Sequence, residues 1–392
     1  MKIVIASDSW KGSNTSIQAA VFIENGARRV FPRAQYMKIP IADGGEGTVA
    51  ALTEALGGRI IEVPAEDPLQ RPITAFYGAI GDKAVMEMAA ASGLPLLAKE
   101  EKNPLTASSR GTGQLIAAAL EAGYTDITIG IGGSATNDGG AGMAQALGYR
   151  LLDTENRELK PGGGELIRLA KIDPSGAHPL LKSAAIRIAC DVDNPLLGSK
   201  GASRTYGPQK GADESDIVKL EAALSRFADI AEKWKGETLR NIPGTGAAGG
   251  LGFGLLAFCG AEMQSGIETI LSLVNFDRHL QGASLVITGE GRIDGQSIHG
   301  KTPMGIAAHA KAAGIPVVAI VGSLGTGASA IYEYGIDALM PTVDTAMSLS
   351  DAIARSRECL EDTAERACRL IRIGMDMQET LKAENRKGRM PE

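Results

Sequence analysis

The sequence predicts an α/β protein in which a doubly wound parallel-sheet domain carries an inserted second α/β domain with a mixed sheet. The chain has 392 residues, more than one ordinary core accommodates, so two domains are expected. Strand and helix patterns alternate at both ends of the chain, which is typical of a parallel sheet. The middle instead contains short strands joined by turn residues, which indicates a different topology.

The N-terminal segment contains two strand–helix pairs. Residues 2–6 form a β-branched run that leads into the polar loop DSWKGS, and residues 13–29 carry apolar side chains at helical spacing. Residues 35–40 predict a second strand, and the loop ADGGEGT then leads into a helix over 49–56 that ends at Gly57. We therefore predict two units of a parallel sheet here.

The middle of the chain changes character at Arg59. The predicted strands cover 59–63, 73–80, 84–88, 126–131 and 186–190, and the predicted helices cover 112–122, 143–147, 213–235 and 243–258. Because hairpins and strand–helix units follow one another, this segment predicts a mixed sheet with flanking helices.

Alternating units return near residue 277. The predicted strands cover 284–288, 316–321 and 338–340, and the helices cover 305–313 and 347–372. Both ends share a pattern that the middle lacks, so we predict a discontinuous domain over 1–60 and 277–392 and an inserted domain over 61–276. Ligands of such sheets bind at strand carboxyl ends, which predicts an active site in the cleft between the domains.

The charge composition indicates that the binding partners are small molecules. The net charge is −6, with 40 basic and 46 acidic residues spread along the chain, which argues against a nucleic-acid or membrane surface. The sequence contains neither a secretory signal nor a run of about 18 apolar residues, so we expect a cytoplasmic protein without a membrane segment. Its four cysteines lack C-x-x-C spacing, which indicates reduced thiols rather than a zinc site.

Glycine-rich polar loops are the strongest functional signal, and the longest is IGIGGSATNDGGAGM over 129–143. Its glycines let an anion approach the backbone N–H groups, and Ser134, Thr136, Asn137 and Asp138 could bind a hydroxyl or a metal. Similar loops are DSWKGS, ADGGEGT, CDVDNP, PGTGAAGGLGFG and TGEGRID. Six such loops predict one shared cleft.

Three segments match the residue patterns of known nucleotide-binding motifs, but the predicted secondary structure around them does not fit those motifs. GQSIHGKT over 295–302 fits the P-loop but does not directly follow a strand, although Lys301 could still contact phosphate. The pattern that starts at Gly130 resembles a dinucleotide fingerprint, but its continuation is too polar for a packed helix. Gly244 and Gly246 begin a third pattern that no strand precedes; as a helix N-terminus it could bind an anion.

Carboxylates recur in these loops, together with a few basic residues. The acidic residues are Asp43, Glu46, Asp138, Asp191, Asp193, Glu290 and Asp294, and the basic ones are Lys11, Lys210, Arg292 and Lys301. This set predicts a site that handles Mg²⁺ and phosphate. The four histidines are scattered, so we expect a carboxylate as general base, and Asp191 directly follows a predicted strand.

The residues alone leave three classes open. They fit a kinase, an NAD(P)-linked hydroxyacid dehydrogenase that uses the Gly130 pattern, or a non-catalytic ligand-binding protein. ADP release, absorbance of reduced nicotinamide, or binding without turnover would distinguish the three.

Six motifs together resemble one family. DSWKGS, ADGGEGT, IGIGGSATNDGGAGM, ACDVDNPLLG, YGPQKGA and LVITGEGRID occur in this order, and over essentially its whole length the chain resembles the bacterial type 1 glycerate kinases. The family commonly has Pro and Phe where this chain has Ser7 and Trp10. The resemblance implies a flavodoxin-like domain with an inserted restriction-endonuclease-like domain.

The resemblance also implies an activity, the transfer of the ATP γ-phosphoryl group to D-glycerate. The expected product is 2-phosphoglycerate, with 3-phosphoglycerate as the alternative, and the expected context is glycolate, glucarate or galactarate breakdown. A homo-oligomer is compatible with the sequence, which does not fix the oligomeric state.

The resulting hypothesis assigns in-line phosphoryl transfer to named residues. Asp191 accepts the hydroxyl proton, Lys11 and Gly12 hold an anionic group, and Arg292 or Lys210 binds the glycerate carboxylate. Asp193, Glu290 or Asp294 orders Mg²⁺. The other candidates for substrate or phosphate are Asp8, Ser9, Ser13, Asp43, Gly44, Gly45, Glu46, Ser134, Thr136, Asn137, Asp138 and Asn194, and those for nucleotide are Gly244, Gly246, Gly289 and Lys301.

Overall fold

The computed structural model describes residues 1–10, 12–39, 41, 48–295 and 302–387. The strands in this part of the chain are β1 Lys2–Ser7, β2 Gln35–Lys38, β3 Arg59–Glu66, β4 Pro72–Ile80, β5 Lys83–Glu87, β6 Asp126–Gly130, β7 Arg150–Leu152, β8 Lys171–Asp173, β9 Ala185–Ala189, β10 Glu262–Gln264, β11 Leu285–Ile293, β12 Val317–Leu324 and β13 Ala338–Pro341.

The α-helices of the same residues are α1 Ser16–Arg28, α2 Thr48–Ala55, α3 Ala89–Ser92, α4 Arg110–Glu121, α5 Ala141–Ala146, α6 Ala202–Tyr206, α7 Glu214–Lys235, α8 Ala247–Cys259, α9 Gly266–Leu273, α10 Phe276–Leu280, α11 Thr302–Ala312, α12 Leu349–Ala354 and α13 Ser356–Lys387. No described helix combines the length and the apolar composition that crossing a bilayer requires.

The chain forms two compact units, Met1–Asp43 with Ile270–Glu392, and Gly44–Thr269. In the first unit all strand pairs are parallel, and the order across the sheet is β13-β12-β11-β1-β2. Numbered within the unit, this is the order 2-1-3-4-5 of flavodoxin-like sheets. The prediction of a doubly wound parallel sheet is therefore confirmed.

Helices α1 and α13 pack together in the first unit. The contact is close because Gly26 of α1 lies against the α13 backbone: a Cβ there would be 1.9 Å from the Glu361 carbonyl oxygen. Arg29 joins the same two helices by donating to Glu361 Oε2 at 2.7 Å. Apolar side chains of α1 and α13, among them Ile23 and Leu360, complete this part of the core.

Strand β11 is longer than predicted, because the segment TGEGRID is mostly strand rather than loop. Glu290 pairs with Val321, and Ile293 with Leu324, on the neighbouring strand β12. The glycines that suggested a loop allow the strands to approach: a Cβ at Gly289 would lie 2.0 Å from the Ile320 carbonyl oxygen. Gly289 therefore permits close contact between two strands and does not form a turn.

Helix α1 begins later than predicted, at Ser16 rather than Ser13. Thr15 is its N-cap: the Thr15 hydroxyl accepts the Gln18 N–H, and the Gln18 side chain accepts the Thr15 N–H. Gly12, with φ +79°, therefore belongs to the turn before the helix.

The second unit contains the mixed sheet, in the order β10-β9-β6-β5-β4-β3. Strands β10, β9, β6 and β5 are parallel to one another, whereas β3 and β4 form antiparallel pairs. Strands β7 and β8 form a separate two-stranded antiparallel sheet. The core includes Tyr77, Met86, Ile129 and Phe227, all almost completely buried.

Helix α2 packs on this second unit. The Val49 N–H donates to Glu87 Oε1 at 3.0 Å, and Thr53 lies against Gly78, where a Cβ would be 1.9 Å from the Thr53 hydroxyl oxygen. Helix α2 thus belongs to the second unit. The unit boundaries lie at 43/44 and 269/270, whereas the sequence predicts domain boundaries at 60/61 and 276/277.

Candidate active site

The predicted site residues that the structure describes fall into two clusters, each at the carboxyl ends of parallel strands. The β1–β11 cluster in the first unit contains Asp8, Ser9, Gly12, Ser13, Gly289, Glu290, Arg292 and Asp294. The β6–β9 cluster in the second unit contains Ser134, Thr136, Asn137, Asp138, Asp191, Asp193, Asn194, Lys210, Gly244 and Gly246. Lys11, Asp43, Gly44, Gly45, Glu46 and Lys301 lie outside the described residues.

The β1–β11 cluster occupies the point where the strand order of the first sheet reverses. Ligands of doubly wound folds bind in the crevice at such a point. The Asp8 N–H donates to the Gly289 carbonyl at 2.8 Å, and the Ser9 N–H donates to Asp8 Oδ1 at 2.6 Å. These bonds fix the Asp8 carboxylate where β1 ends. Ser13 follows in the next turn, where its N–H donates to the Trp10 carbonyl at 2.8 Å.

Trp10 is a core side chain under this loop, with 5% of its surface exposed. Its indole N–H donates to Ser7 Oγ at 3.3 Å, and Ser7 Oγ lies 3.1 Å from the Gly289 carbonyl oxygen. The ring also approaches Gly322, where a Cβ would lie 3.2 Å from it. Ser7 thus anchors the indole ring of Trp10.

One face of β11 presents oxygen ligands. Every second residue of a strand points to the same side of the sheet, so Thr288, Glu290 and Arg292 share one face of β11. Thr288 and Glu290 are buried. The Thr288 hydroxyl has no hydrogen-bond partner among the described residues. Arg292 is exposed, with its Nε 3.6 Å from Asp294 Oδ2. No group of three potential metal ligands occurs within the described ranges.

In the β6–β9 cluster, the polar side chains of the 129–143 loop point into the protein. Thr136, Asn137 and Asp138 are each 0% exposed, whereas Gly132 and Gly133 are exposed. The polar trio is therefore not exposed to solvent. Each side chain lies in the interior, and the exposed backbone of the two glycines is what the loop presents to solvent.

Asp138 organises the second half of this loop. Its carboxylate accepts hydrogen bonds from the Ser109 N–H at 2.8 Å, Ser109 Oγ at 2.9 Å, the Gly140 N–H at 3.1 Å and the Gly142 N–H at 3.2 Å. Burial raises the pKa of Asp138, and these hydrogen bonds partly offset that effect. Asp138 thus holds the entry of α5 in place rather than facing a ligand.

Lys210 holds the first half of the loop. Its ammonium group donates to Ser134 Oγ at 2.6 Å and to the Thr136 carbonyl at 2.7 Å, and the side chain is almost completely buried. Burial lowers the pKa of Lys210 to about 7, and the negative charge of Asp138 acts in the opposite direction. The amine therefore faces the protein interior, whereas the sequence predicts that Lys210 or Arg292 binds a substrate carboxylate.

Asn137 connects the same loop to α6. Its Nδ2 donates to Ser203 Oγ at 3.0 Å. Its Oδ1 and the Thr136 hydroxyl are buried and have no hydrogen-bond partner in the part of the chain that is described. Two polar atoms of the trio, Thr136 Oγ1 and Asn137 Oδ1, can thus still form hydrogen bonds inside the second unit.

The glycines before and within α8 serve backbone packing. A Cβ at Gly249, where φ is +67°, would lie 1.9 Å from the Thr136 carbonyl oxygen. A Cβ at Gly246 would lie 2.1 Å from the Pro195 carbonyl oxygen, and one at Gly244 would lie 3.3 Å from Cys190 Sγ. The start of α8 therefore packs against the loops that follow β6 and β9, a different role from the predicted contact of Gly244 and Gly246 with nucleotide.

Asp191 is the exposed carboxylate held at the end of β9. Its Oδ1 accepts the Gly266 N–H at 2.7 Å at the start of α9, and its Oδ2 receives no hydrogen bond from the described residues. A Cβ at Gly266 would lie 2.6 Å from that Oδ2, so only glycine leaves room for the carboxylate. This geometry gives a fixed, solvent-accessible acceptor, which is what a general base needs.

The two residues that follow Asp191 in the candidate list differ from each other. Asp193 is exposed. Asn194 closes a local turn: its Nδ2 donates to the Lys200 carbonyl at 2.7 Å, and its Oδ1 accepts the Tyr206 hydroxyl at 2.7 Å. The side chain of Asn194 thus supports the loop.

Three supporting residues escaped the sequence analysis. Ser109 binds Asp138, Glu87 accepts the Val49 N–H of α2, and Gly266 holds Asp191. Ser109 directly precedes a helix, a position typical of caps. No local pattern could have paired Gly266 with an aspartate 75 residues away.

Comparison with known proteins identifies the family. The model of the glycerate kinase family matches residues 3–372. The chain belongs to the glycerate kinase family. It is 52% identical to the glycerate kinase of Bacillus subtilis (strain 168) over 379 residues, 96% of this chain and 99% of the relative. It is 48% identical to the glycerate 2-kinase of Escherichia coli (strain K12) over 377 residues, 96% of this chain and 99% of the relative.

A solved structure supports the same family assignment. The crystal structure of a putative glycerate kinase 2 from Salmonella typhimurium LT2 matches with a TM-score of 0.84 and 46% identity, covering 96% of this chain and 99% of the other. The activity is therefore that of an ATP-dependent glycerate kinase. The dehydrogenase and the non-catalytic alternatives are not favoured.

Proposed function

We propose that this glycerate kinase transfers the γ-phosphoryl group of ATP to the 2-hydroxyl of D-glycerate and releases 2-phosphoglycerate. The observation that carries the proposal is the Asp191 carboxylate, exposed at the end of β9 and fixed through one oxygen by the Gly266 N–H. The choice of hydroxyl is supported by the relative from Escherichia coli that is named a glycerate 2-kinase.

In this proposal Asp191 Oδ2 accepts the proton of the attacking hydroxyl. The Gly266 bond occupies Oδ1, so the second oxygen keeps its lone pairs for the substrate. The hydroxyl oxygen then attacks the γ-phosphorus, and the bond from that phosphorus to the β–γ bridging oxygen breaks, which leaves ADP. A positioned base typically contributes about 10²- to 10⁴-fold to the rate.

Anionic groups are bound by exposed donors. Gly132 and Gly133 are exposed after the carboxyl end of β6, and a Cβ at Gly132 would meet nothing within 4 Å, so we assign an anionic group to their N–H groups. Gly12 and Lys11 are the corresponding candidates after β1. Arg292 is exposed and carries the planar fork that suits a carboxylate, so we assign the glycerate carboxylate to it.

Mg²⁺ fits the oxygen donors of the β1–β11 cluster. Glu290 and Asp294 would hold the ion, and the buried Thr288 hydroxyl without a described partner lies on the same strand face as Glu290. Magnesium is usually bound by one or two carboxylates together with phosphate oxygens. When bound, it would neutralise charge on the triphosphate. Asp193 is the alternative ligand from the second unit.

Phosphorus NMR of the product tests this function. The enzyme is incubated with D-glycerate, ATP and MgCl₂, and the phosphate monoester resonance is recorded with proton coupling. In 2-phosphoglycerate the phosphorus couples to a single methine proton, so a doublet is expected. A triplet would reveal phosphorylation of the methylene hydroxyl and contradict the proposed regiochemistry, and a reaction without glycerate is the control.

A further inference from the structure

We propose that Lys210 is a positioning residue: it ties the Ser134–Thr136 segment to the interior of the second unit and so fixes the exposed Gly132–Gly133 backbone that binds an anionic substrate group. The assignment of an anion to these glycines rests on the proposed function. Lys210 itself does not touch the substrate, because its side chain is almost completely buried.

The tie joins segments that are far apart in the sequence. Lys210 ends a short turn, Pro208–Lys210, between α6 and α7, and the residues that it binds follow β6. Its ammonium group donates to a side chain, Ser134 Oγ, and to a main-chain oxygen, that of Thr136. One amine therefore fixes both the side chain and the backbone of the segment directly after the glycine pair.

The loop needs such support because its own backbone is permissive. Gly133, Gly139 and Gly140 all have positive φ, and a glycine backbone loses more entropy on ordering than any other. Asp138 fixes the later part of the loop through Ser109, Gly140 and Gly142. The segment before Asp138 is held by Lys210, by the Ala135 N–H, which donates to the Ser92 carbonyl at 3.0 Å, and by the Gly133 carbonyl, which accepts the Leu94 N–H at 2.8 Å.

Burying a lysine amine to hold a loop costs desolvation free energy. Methionine has a similar length and would fill the same space without the desolvation of an amine. A position selected for stability alone would favour such an apolar side chain, whereas the directional donors of lysine fix two oxygens in one orientation. The role assigned to Lys210 is therefore geometric.

The test compares Lys210→Met, Ser134→Ala and the double variant with the wild-type enzyme. Lys219→Met is the matched control, since Lys219 is an exposed amine paired with Asp216 on α7. ADP release gives kcat and KM for D-glycerate and for ATP, and circular dichroism confirms that each variant is folded. ADP release reports phosphoryl transfer to either hydroxyl, so a different regiochemistry would refute the proposed function without affecting this test.

The expected pattern separates positioning from stability. Lys210→Met should lower kcat/KM by at least about tenfold, and Ser134→Ala by about three- to tenfold, the size of one lost hydrogen bond. Because both act through the same contact, the double variant should equal Lys210→Met within about twofold. Lys219→Met should match the wild type.

Two results would overturn the proposal. The first is a folded Lys210→Met enzyme with wild-type kcat/KM, and the second is a double variant whose losses multiply. If Lys210→Met does not fold, Ser134→Ala decides, because it keeps the buried amine and removes one of its partners. Unchanged kcat/KM in that variant would contradict the positioning role.

Discussion

Replacing Lys210 with methionine should remove a pH dependence from the stability of the second unit. Burial lowers the pKa of Lys210 from 10.5 in the unfolded chain to about 7 in the fold. Between these two values the unfolded chain binds a proton that the folded protein does not. Stability therefore rises with pH across this window, and the penalty for burying the amine is fully present only below pH 7.

The size of the effect follows from the shift. A decrease of between three and four pKa units corresponds to roughly 5 kcal/mol at about 1.4 kcal/mol per unit. About 3 to 4 kcal/mol of this should be recovered between pH 7 and pH 10, because the folded amine is already half neutral at pH 7 and the unfolded amine is still partly charged at pH 10. The wild type should gain that amount relative to Lys210→Met over this range.

Urea unfolding at a series of pH values measures the difference. Trp234 lies in the second unit against Tyr149 and Phe258, so its fluorescence reports on that unit. A Trp10→Phe background leaves it as the single tryptophan. Free energies of unfolding that stay parallel for the two proteins from pH 7 to pH 10 would refute the reasoning, since the lysine would then titrate normally.

Two glycine substitutions give further predictions. Gly266→Ala should lower kcat by about tenfold or more, since its methyl group displaces the Asp191 carboxylate; in steady-state assays Gly374→Ala, with no neighbour within 4 Å, should leave kcat unchanged. Gly249→Ala should cost more than about 3 kcal/mol in chemical denaturation, because its methyl group would meet a carbonyl oxygen at 1.9 Å. Gly260→Ala, also at positive φ but with open space around it, should cost only about 1 kcal/mol. Equal losses within either pair would contradict the packing argument.

Alternating strands and helices were sufficient to predict the architecture, because periodicity and β-branched runs depend on local chemistry. They could not show that β11 continues through TGEGRI. The glycines of that segment are typical of loops, and only the neighbouring strand β12 explains them. The assignment of α2 to the second unit depends on contacts with Glu87 and Gly78, which lie more than 20 residues away in the sequence.

The candidate site was harder to predict because one residue type serves two purposes. A glycine can give a ligand access to the backbone, as we propose for Gly132 and Gly133, but it also lets two chain segments touch, as Gly246 and Gly249 do. A sequence does not distinguish these cases. A sequence likewise does not show that Asp138 is structural, because its partner Ser109 lies 29 residues away at the start of α4.

The central claim is that Asp191 is the general base, and Asp191→Asn tests it most directly. Asparagine keeps an oxygen that can accept the Gly266 N–H, so the loop geometry is preserved while the basic group is lost. We expect kcat to fall by about 100-fold or more with the KM for D-glycerate nearly unchanged, whereas Asp82→Asn, in an exposed hairpin turn, should behave like the wild type. A decrease of less than about tenfold in Asp191→Asn would contradict the assignment.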